Sequence, residues 1–169
     1  RHWDSLISVT IPNSVTSIGD FAFGKCTSLK CIIIPNRIKS IGQYAFIDCS
    51  SLVSIILPNS VNSIGTWAFR NCLSLTSITI PESVSSIGYE AFSGCTSLSF
   101  VILEAKTPPS LGSRLFSSKP SCIIPDGTSY AYRSSDWNQY VRKFIEEDDI
   151  YSTWKSHYTS TDGKIVSPR

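Results

Sequence analysis

Six cysteines and two histidines carry the widest chemical repertoire in this 169-residue chain. Cys26, Cys49, Cys72 and Cys95 stand 23 residues apart, while Cys31 and Cys122 fall outside that series. Cysteines in such number open the way to a disulfide framework or a zinc site. A disulfide needs two Cβ vectors that converge, whereas residues one full period apart occupy one equivalent slot and point the same way. Zinc needs ligands gathered about one point, and here the cysteines are spread along the chain with no histidine among them. The expectation is a column of buried, reduced thiols, each donating weakly to a nearby backbone carbonyl.

Other reactive groups are equally unhelpful to catalysis. His2 and His157 lie in the two tails, so the usual general base is missing from the body of the chain. Serines are abundant, but they fill polar turn slots, and no Gly-x-Ser-x-Gly elbow appears. Each Ile-Gly pair belongs to a recurring turn and not to a phosphate-cradling loop. Asp and Glu are scattered singly, which offers neither a carboxylate pair nor a calcium loop. No catalytic, cofactor or metal site is expected. A net charge of +2 is too small to argue for nucleic acid or a membrane surface. No apolar run approaches a bilayer's thickness. The chain starts at Arg1, contains no methionine and has no secretory signal. It is expected to be a piece of a larger precursor or a mature form.

The elements that hold these residues are written in the same period. Leu6, Leu29, Leu52, Leu75 and Leu98 keep the 23-residue step, as do Ile18-Gly19, Ile41-Gly42, Ile64-Gly65 and Ile87-Gly88. Ala22-Phe23, Ala45-Phe46, Ala68-Phe69 and Ala91-Phe92 follow it too. One such unit cannot bury its own apolar face, so successive units must stack. Leu-x-x-Ile-x-Ile-Pro reads as a short strand ended by proline, which has no N–H for the ladder. Alternation places Leu29, Ile32 and Ile34 inward, with Cys31 and Ile33 outward. Ile38 and Ile41 close the opposite wall. Gly42 permits a turn, read here as one of positive φ, and Tyr44-Ala45-Phe46 as a helical or 3₁₀ turn with Phe46 wedged between coils. Equivalent strands would align as a parallel sheet.

The full text, Leu-x-x-Ile-x-Ile-Pro-x-Ser-Val-x-Ser-Ile-Gly-x-x-Ala-Phe-x-x-Cys-x-Ser, resembles the BspA-type leucine-rich repeat over residues 6–146. That family occurs in surface proteins of host-associated bacteria and some parasitic protists. The resemblance implies a leucine-rich repeat solenoid with a parallel β-sheet, short helical turns and a C-terminal capping helix. It also implies a cell-surface or secreted location.

Along the chain, residues 1–5 read as a truncated start, with Trp3 covering an exposed coil end. Residues 6–128 read as the solenoid, about five coils and a terminal strand. Its second coil departs from the text at Arg37-Ile38 and Lys39, basic residues read as solvated. The fifth coil has Val101 and Leu103 inward, is broken by Pro108-Pro109, and runs one residue out of step at Leu111-Gly112 and Leu115-Phe116. The strand Ser121–Pro125 places Cys122 and Ile124 in the core, and Asp126-Gly127 makes a turn. Residues 129–147 are expected to form a capping helix. Asp136 would cap its N-terminus, with an apolar stripe of Trp137, Tyr140, Val141, Phe144 and Ile145. Residues 148–169 read as a tail or the start of a following module, with a strand–turn–strand fragment at Tyr158–Val166.

What remains for function is a surface. The outward positions of the strands are Ser8, Thr10, Cys31, Ile33, Ser54, Ile56, Ser77, Thr79, Phe100 and Ile102. Ile33, Ile56, Phe100 and Ile102 are apolar where water is expected, which marks either a partner site or the fit of isoleucine to a parallel strand. The capping segment offers a second explanation for Phe100 and Ile102. Cys31 reads either as a reactive or bridging thiol or as a free thiol without a role. The expected function is a non-enzymatic binding module acting through Ile33, Ile56, Ser77, Thr79, Phe100 and Ile102. Its partner would be a protein or glycan of host matrix or of another cell. The alternative is a structural spacer that presents neighbouring modules.

Overall fold

The structure, a computed structural model, describes residues 3–150. Four successive coils each contribute one strand to each of two parallel sheets, and the chain beyond them adds two more strands to the larger. The larger is built from β1 (Cys31–Ile33), β3 (Ser54–Ile56), β5 (Ser77–Ile80), β7 (Phe100–Leu103), β9 (Ser121–Ile124) and β10 (Lys143–Glu146), in that order. The smaller holds β2 (Ser40–Ile41), β4 (Ser63–Ile64), β6 (Ser86–Ile87) and β8 (Ser110–Leu111). Residues ahead of β1 join both sheets by single parallel bridges, Thr10 to Ile33 and Ile18 to Ile41. The result is a β-solenoid of about five turns. The one-residue slip read at Leu111 and Phe116 is present: Ile87 pairs with Leu111, and Phe92 with Phe116.

The interior is filled by the recurring residues. Leu29, Leu52, Leu75 and Leu98 are buried in one row, and Ile32, Ile55, Ile78 and Val101 in another. Phe23, Phe46, Phe69, Phe92 and Phe116 stack along the axis with ring centroids 5.2, 5.2, 5.4 and 5.6 Å apart. Stacking of this kind adds about 0.5–1.5 kcal/mol per pair beyond area burial.

The third wall differs from the helical turn expected. It is a run of tight turns: Ala45 N–H donates to Gly42 O, Ile47 to Tyr44 O and Cys49 to Phe46 O. Each second N–H reaches the next coil, as Tyr44 to Thr66 O, Phe46 to Ala68 O and Asp48 to Arg70 O. The turns need left-handed backbone at two places per coil. These are Phe21, Tyr44, Trp67 and Glu90 at one, and Lys25, Asp48, Asn71 and Gly94 at the other. Outside glycine that conformation costs roughly 1–2 kcal/mol per residue, which the inter-coil ladder and ring stacking offset.

Gly42 is not among the left-handed residues, which corrects the reading of positive φ there. Its role is close approach. A Cβ on Gly42 would lie 2.6 Å from Gly19 C and 2.7 Å from Asp20 N, and one on Gly88 would lie 2.4 Å from Thr66 N. The coils touch backbone to backbone at this corner, and only hydrogen fits.

The single capping helix expected over 129–147 is replaced by α1 (Ser129–Arg133), α2 (Trp137–Tyr140) and the strand β10. Val141 is already extended, and β10 pairs in parallel with β9, Phe144 opposite Cys122. The edge of β9 offers a row of unpaired N–H and C=O groups, and satisfying it outweighs the helical spacing of Tyr140, Val141, Phe144 and Ile145. Asp136 precedes α2 but makes no capping bond with its side chain; Ser135 Oγ accepts from Trp137 N–H at 3.3 Å instead. The segment still closes the core. Tyr132 Oη donates to Ala105 O at 2.6 Å, and Trp137 Nε1 donates to Pro109 O at 3.1 Å. The strand–turn–strand reading at Tyr158–Val166 and both histidines lie outside the described residues.

Candidate interaction surface on the outer sheet face

The register of the larger sheet brings one outward residue of each strand into a single line. Thr10, Ile33, Ile56, Thr79, Ile102, Ile123 and Ile145 follow one another strand by strand. At about 4.8 Å per strand they form a straight rail of β-branched side chains. Ile33 and Ile56 are 78% and 75% exposed, their methyl groups standing in water. Thr79 and Ile102 are half-buried. A second line runs beside it, with Cys31 opposite Ser54, and Ser77, Phe100, Ser121 and Lys143 in succession. Ser77 is exposed and Phe100 remains 43% exposed. The C-terminal segment therefore leaves much of Phe100 open, while Ser121 beside it is buried and receives a hydrogen bond from Arg142 Nη2 at 3.1 Å.

All six candidate residues thus share one face. Ile123 and Ile145 belong to it as well. Ile123 was readable from the inward reading of Cys122 and Ile124, whereas Ile145 was hidden by the helical reading of its segment.

Beneath the turns, Cys26, Cys49, Cys72 and Cys95 are buried in a column. Cys49 Sγ donates to Phe23 O at 3.1 Å, Cys72 Sγ to Phe46 O at 3.2 Å and Cys95 Sγ to Phe69 O at 3.0 Å. Each of these three thiols reaches back to the preceding coil. Burial pushes the Cys49 thiol up to about 12. Cys72 is raised well above the ordinary range by its hydrogen bond with Cys95, with burial next. Cys122 is raised by burial. Such thiols are poor nucleophiles and poor metal ligands near neutral pH. Cys31 is free and exposed. Among the described residues no three His, Cys, Asp or Glu side chains gather as a metal site.

One feature of the turn wall escaped the sequence reading. Phe21, Tyr44, Trp67 and Tyr89 form an outer ladder with centroids 4.3, 4.8 and 5.7 Å apart. Phe21, Tyr44 and Trp67 keep the 23-residue step, which was the available signal. Glu90 stands at the ladder's end: Trp67 Nε1 donates to its Oε2 at 3.0 Å, and Arg70 and Arg114 pair with it at 3.4 and 3.8 Å. The Tyr89 and Trp67 hydrogen bonds, ahead of the two guanidiniums, hold the Glu90 carboxyl below its ordinary value. The Phe21 and Tyr44 rings lie face to face, and the four residues read as a spine that splints the strained turns.

Among the described residues no helix is long and apolar enough to cross a membrane. Comparison with curated proteins finds no match. Among solved structures, the chain is similar to a leucine-rich repeat protein of T. pallidum at 26% identity and a TM-score of 0.66, covering 83% of this chain and 71% of that one. It is similar to a leucine-rich cell surface protein of Faecalibacterium prausnitzii at 25% identity and a TM-score of 0.59, covering 83% and 32%. The pneumococcal vaccine antigen PcpA shares the fold at 20% identity and a TM-score of 0.64, over 83% and 41%. The chain thus spans less than half the length of the last two. Six copies of the BspA type leucine rich repeat match residues 2–123. With stacked strands, thiol column and phenylalanine ladder all in that repeat's step, the chain belongs to the BspA-type leucine-rich repeat family.

Proposed function

We propose that this chain is a non-enzymatic interaction module, displayed at a cell surface or secreted, that adheres to a protein partner through its outer sheet face. The observation that carries this reading is the unbroken rail from Thr10 to Ile145, with Ile33 and Ile56 about three-quarters exposed. Exposed aliphatic side chains on a flat, rigid face favour a partner that brings its own apolar groups. They favour a protein over a glycan, because methyl groups offer a sugar hydroxyl no hydrogen bond. Similarity to a leucine-rich cell surface protein supports the location.

The test is adherence of beads coated with the 169-residue chain to epithelial monolayers and the matrix they deposit. Ile33→Lys together with Ile56→Lys should reduce adherence by about tenfold or more while leaving Tm within about 2 °C, since both side chains are exposed. Trypsin treatment of the layer should abolish adherence, and periodate should not. Unchanged adherence by the double variant would remove the sheet face from the reading. No adherence by the parent chain would leave the spacer role as the better account.

A further inference from the structure

The two ends of the solenoid are finished differently. The C-terminal end is closed by α1, α2 and β10, with Tyr132, Trp137 and Phe144 buried against the last coils. At the other end Leu6, Val9, Ile11, Val15 and Phe23 are only partly buried, whereas their counterparts one coil on, Leu29, Ile32, Ile34, Ile38 and Phe46, are buried. Trp3 lies over this end yet leaves a cavity of about 170 Å³ between itself, Leu6, Val9, Ala22 and Phe23.

Comparison of the first coil with its successors shows what is missing, group by group. Lys30, Lys39 and Gly42 donate their N–H groups to Ile7 O, Thr16 O and Ile18 O at 3.2, 3.0 and 2.9 Å. One period earlier, the amides of Ile7, Thr16 and Gly19 have no acceptor among the described residues. The later thiols each find a phenylalanine carbonyl in the preceding coil, whereas Cys26 has none among the described residues. Gly42, Gly65, Gly88 and Gly112 are each pressed against the backbone of the coil before, but nothing lies within 4 Å of a Cβ placed on Gly19. The glycine and the cysteine are retained where no upstream coil uses them, and the Phe21 and Phe23 rings are each stacked on their downstream side alone among the described residues. Residues 3–6 already follow the coil path, since Leu6 N–H donates to Trp3 O at 3.0 Å as Leu29 N–H does to Cys26 O at 3.1 Å.

We propose that the N-terminal face of the first coil is a docking surface for the C-terminal face of an uncapped coil of the same 23-residue text, stacked in line with the array. The argument is continuity with an interface that the molecule repeats within itself. The donors and the thiol of this face need carbonyls pointing along the axis, and a coil's C-terminal side presents them in matching register, as Ile7 O, Thr16 O, Ile18 O and Phe23 O do for the second coil. A second copy of this chain is a poor occupant, because its own C-terminal side is covered.

The experiment inserts a duplicate of residues 29–51 between Ser5 and Leu6 of the full chain, which keeps the period. Tm should rise by at least about 4 °C. The amides of Ile7, Thr16 and Gly19, fast to exchange in the parent, should slow by about tenfold or more. Gly19→Ala should be neutral in the parent and should cancel the gain in the extended chain. A lower or unchanged Tm with the three amides still fast would overturn the proposal. So would concentration-dependent dimerisation of the parent that protects those amides, since a second copy would then be the occupant.

Discussion

The cysteine column joins sequence, packing and reactivity at single residues. Residues one period apart point the same way, so no pair converges, and the thiols of Cys49, Cys72 and Cys95 each donate a hydrogen bond to a carbonyl one coil back. That geometry predicts selective chemistry. In the native chain a thiol reagent at pH 8 should modify Cys31 alone, and all six cysteines should react once the chain is unfolded. Rapid native modification of Cys49 or Cys72 would show that the column opens readily. A pH dependence accompanies it. The folded values of Cys49, Cys72 and Cys122 are raised above the ordinary 9.0. The folded state therefore holds protons that the unfolded state releases, and the associated stability is present below pH 9 and lost as pH rises toward about 12. Urea midpoints measured across that window should fall less steeply for Cys72→Ala than for the parent. Glycine marks the limit of residue-level reading. Ile-Gly was plainly recurrent, but a sequence does not distinguish a glycine needed for φ from one needed for contact. Of the two left-handed positions per coil, one was signalled by Asp48, Asn71 and Gly94, residue types that tolerate that region, while Phe21, Tyr44, Trp67 and Glu90 at the other gave no such signal.

At the level of elements, the strands of the larger sheet were legible because alternation and a terminal proline agree in every unit. Leu29, Ile32 and Ile34 pointed inward as read, and the slip at Leu111 was visible as a broken count. The C-terminal segment was not legible, since Trp137, Tyr140, Val141, Phe144 and Ile145 satisfy a helical stripe and, from Val141 on, a strand equally well. Period alone does not arbitrate between them; the open edge of β9 does. The outer rail was half-legible for the same reason, Ile145 being lost with its strand. The cap's importance follows from what it covers. Trp137 is buried, touches Phe116 and Tyr132, and holds Pro109 O. Trp137→Ala should cost about 3–5 kcal/mol in urea denaturation. Tyr132→Phe, which only strips the donor from Ala105 O, should cost about 1–2 kcal/mol. Equal costs for the two would mean that the hydrogen bonds, and not the packed rings, hold the cap.

Across the whole molecule, each coil touches chiefly its neighbours, so stability should be distributed along the axis and not shared evenly. The central coils have a ladder on both sides. The first coil has one on one side only, and the last is held by the cap. Native-state hydrogen exchange should therefore find its slowest amides at Gly65, Phe69 and Asn71, which donate to Ile41 O, Ala91 O and Ser93 O, and faster ones at Phe21, Phe23 and Lys25. The phenylalanine ladder allows a sharper test. Phe69 stacks on Phe46 and Phe92 at 5.2 and 5.4 Å, whereas Phe116 lies between Phe92 and the cap residue Trp137. Phe69→Ala removes a rung with coils on both sides and should speed exchange in both directions along the array. Phe116→Ala should speed exchange in the last coil and β10, leaving the amides of Phe46 and Asp48 near their parental rates. Were both variants to raise exchange uniformly from end to end, the array would be unfolding as a single cooperative block. The outer face would then owe its rigidity to the whole stack and not to the coils directly beneath it.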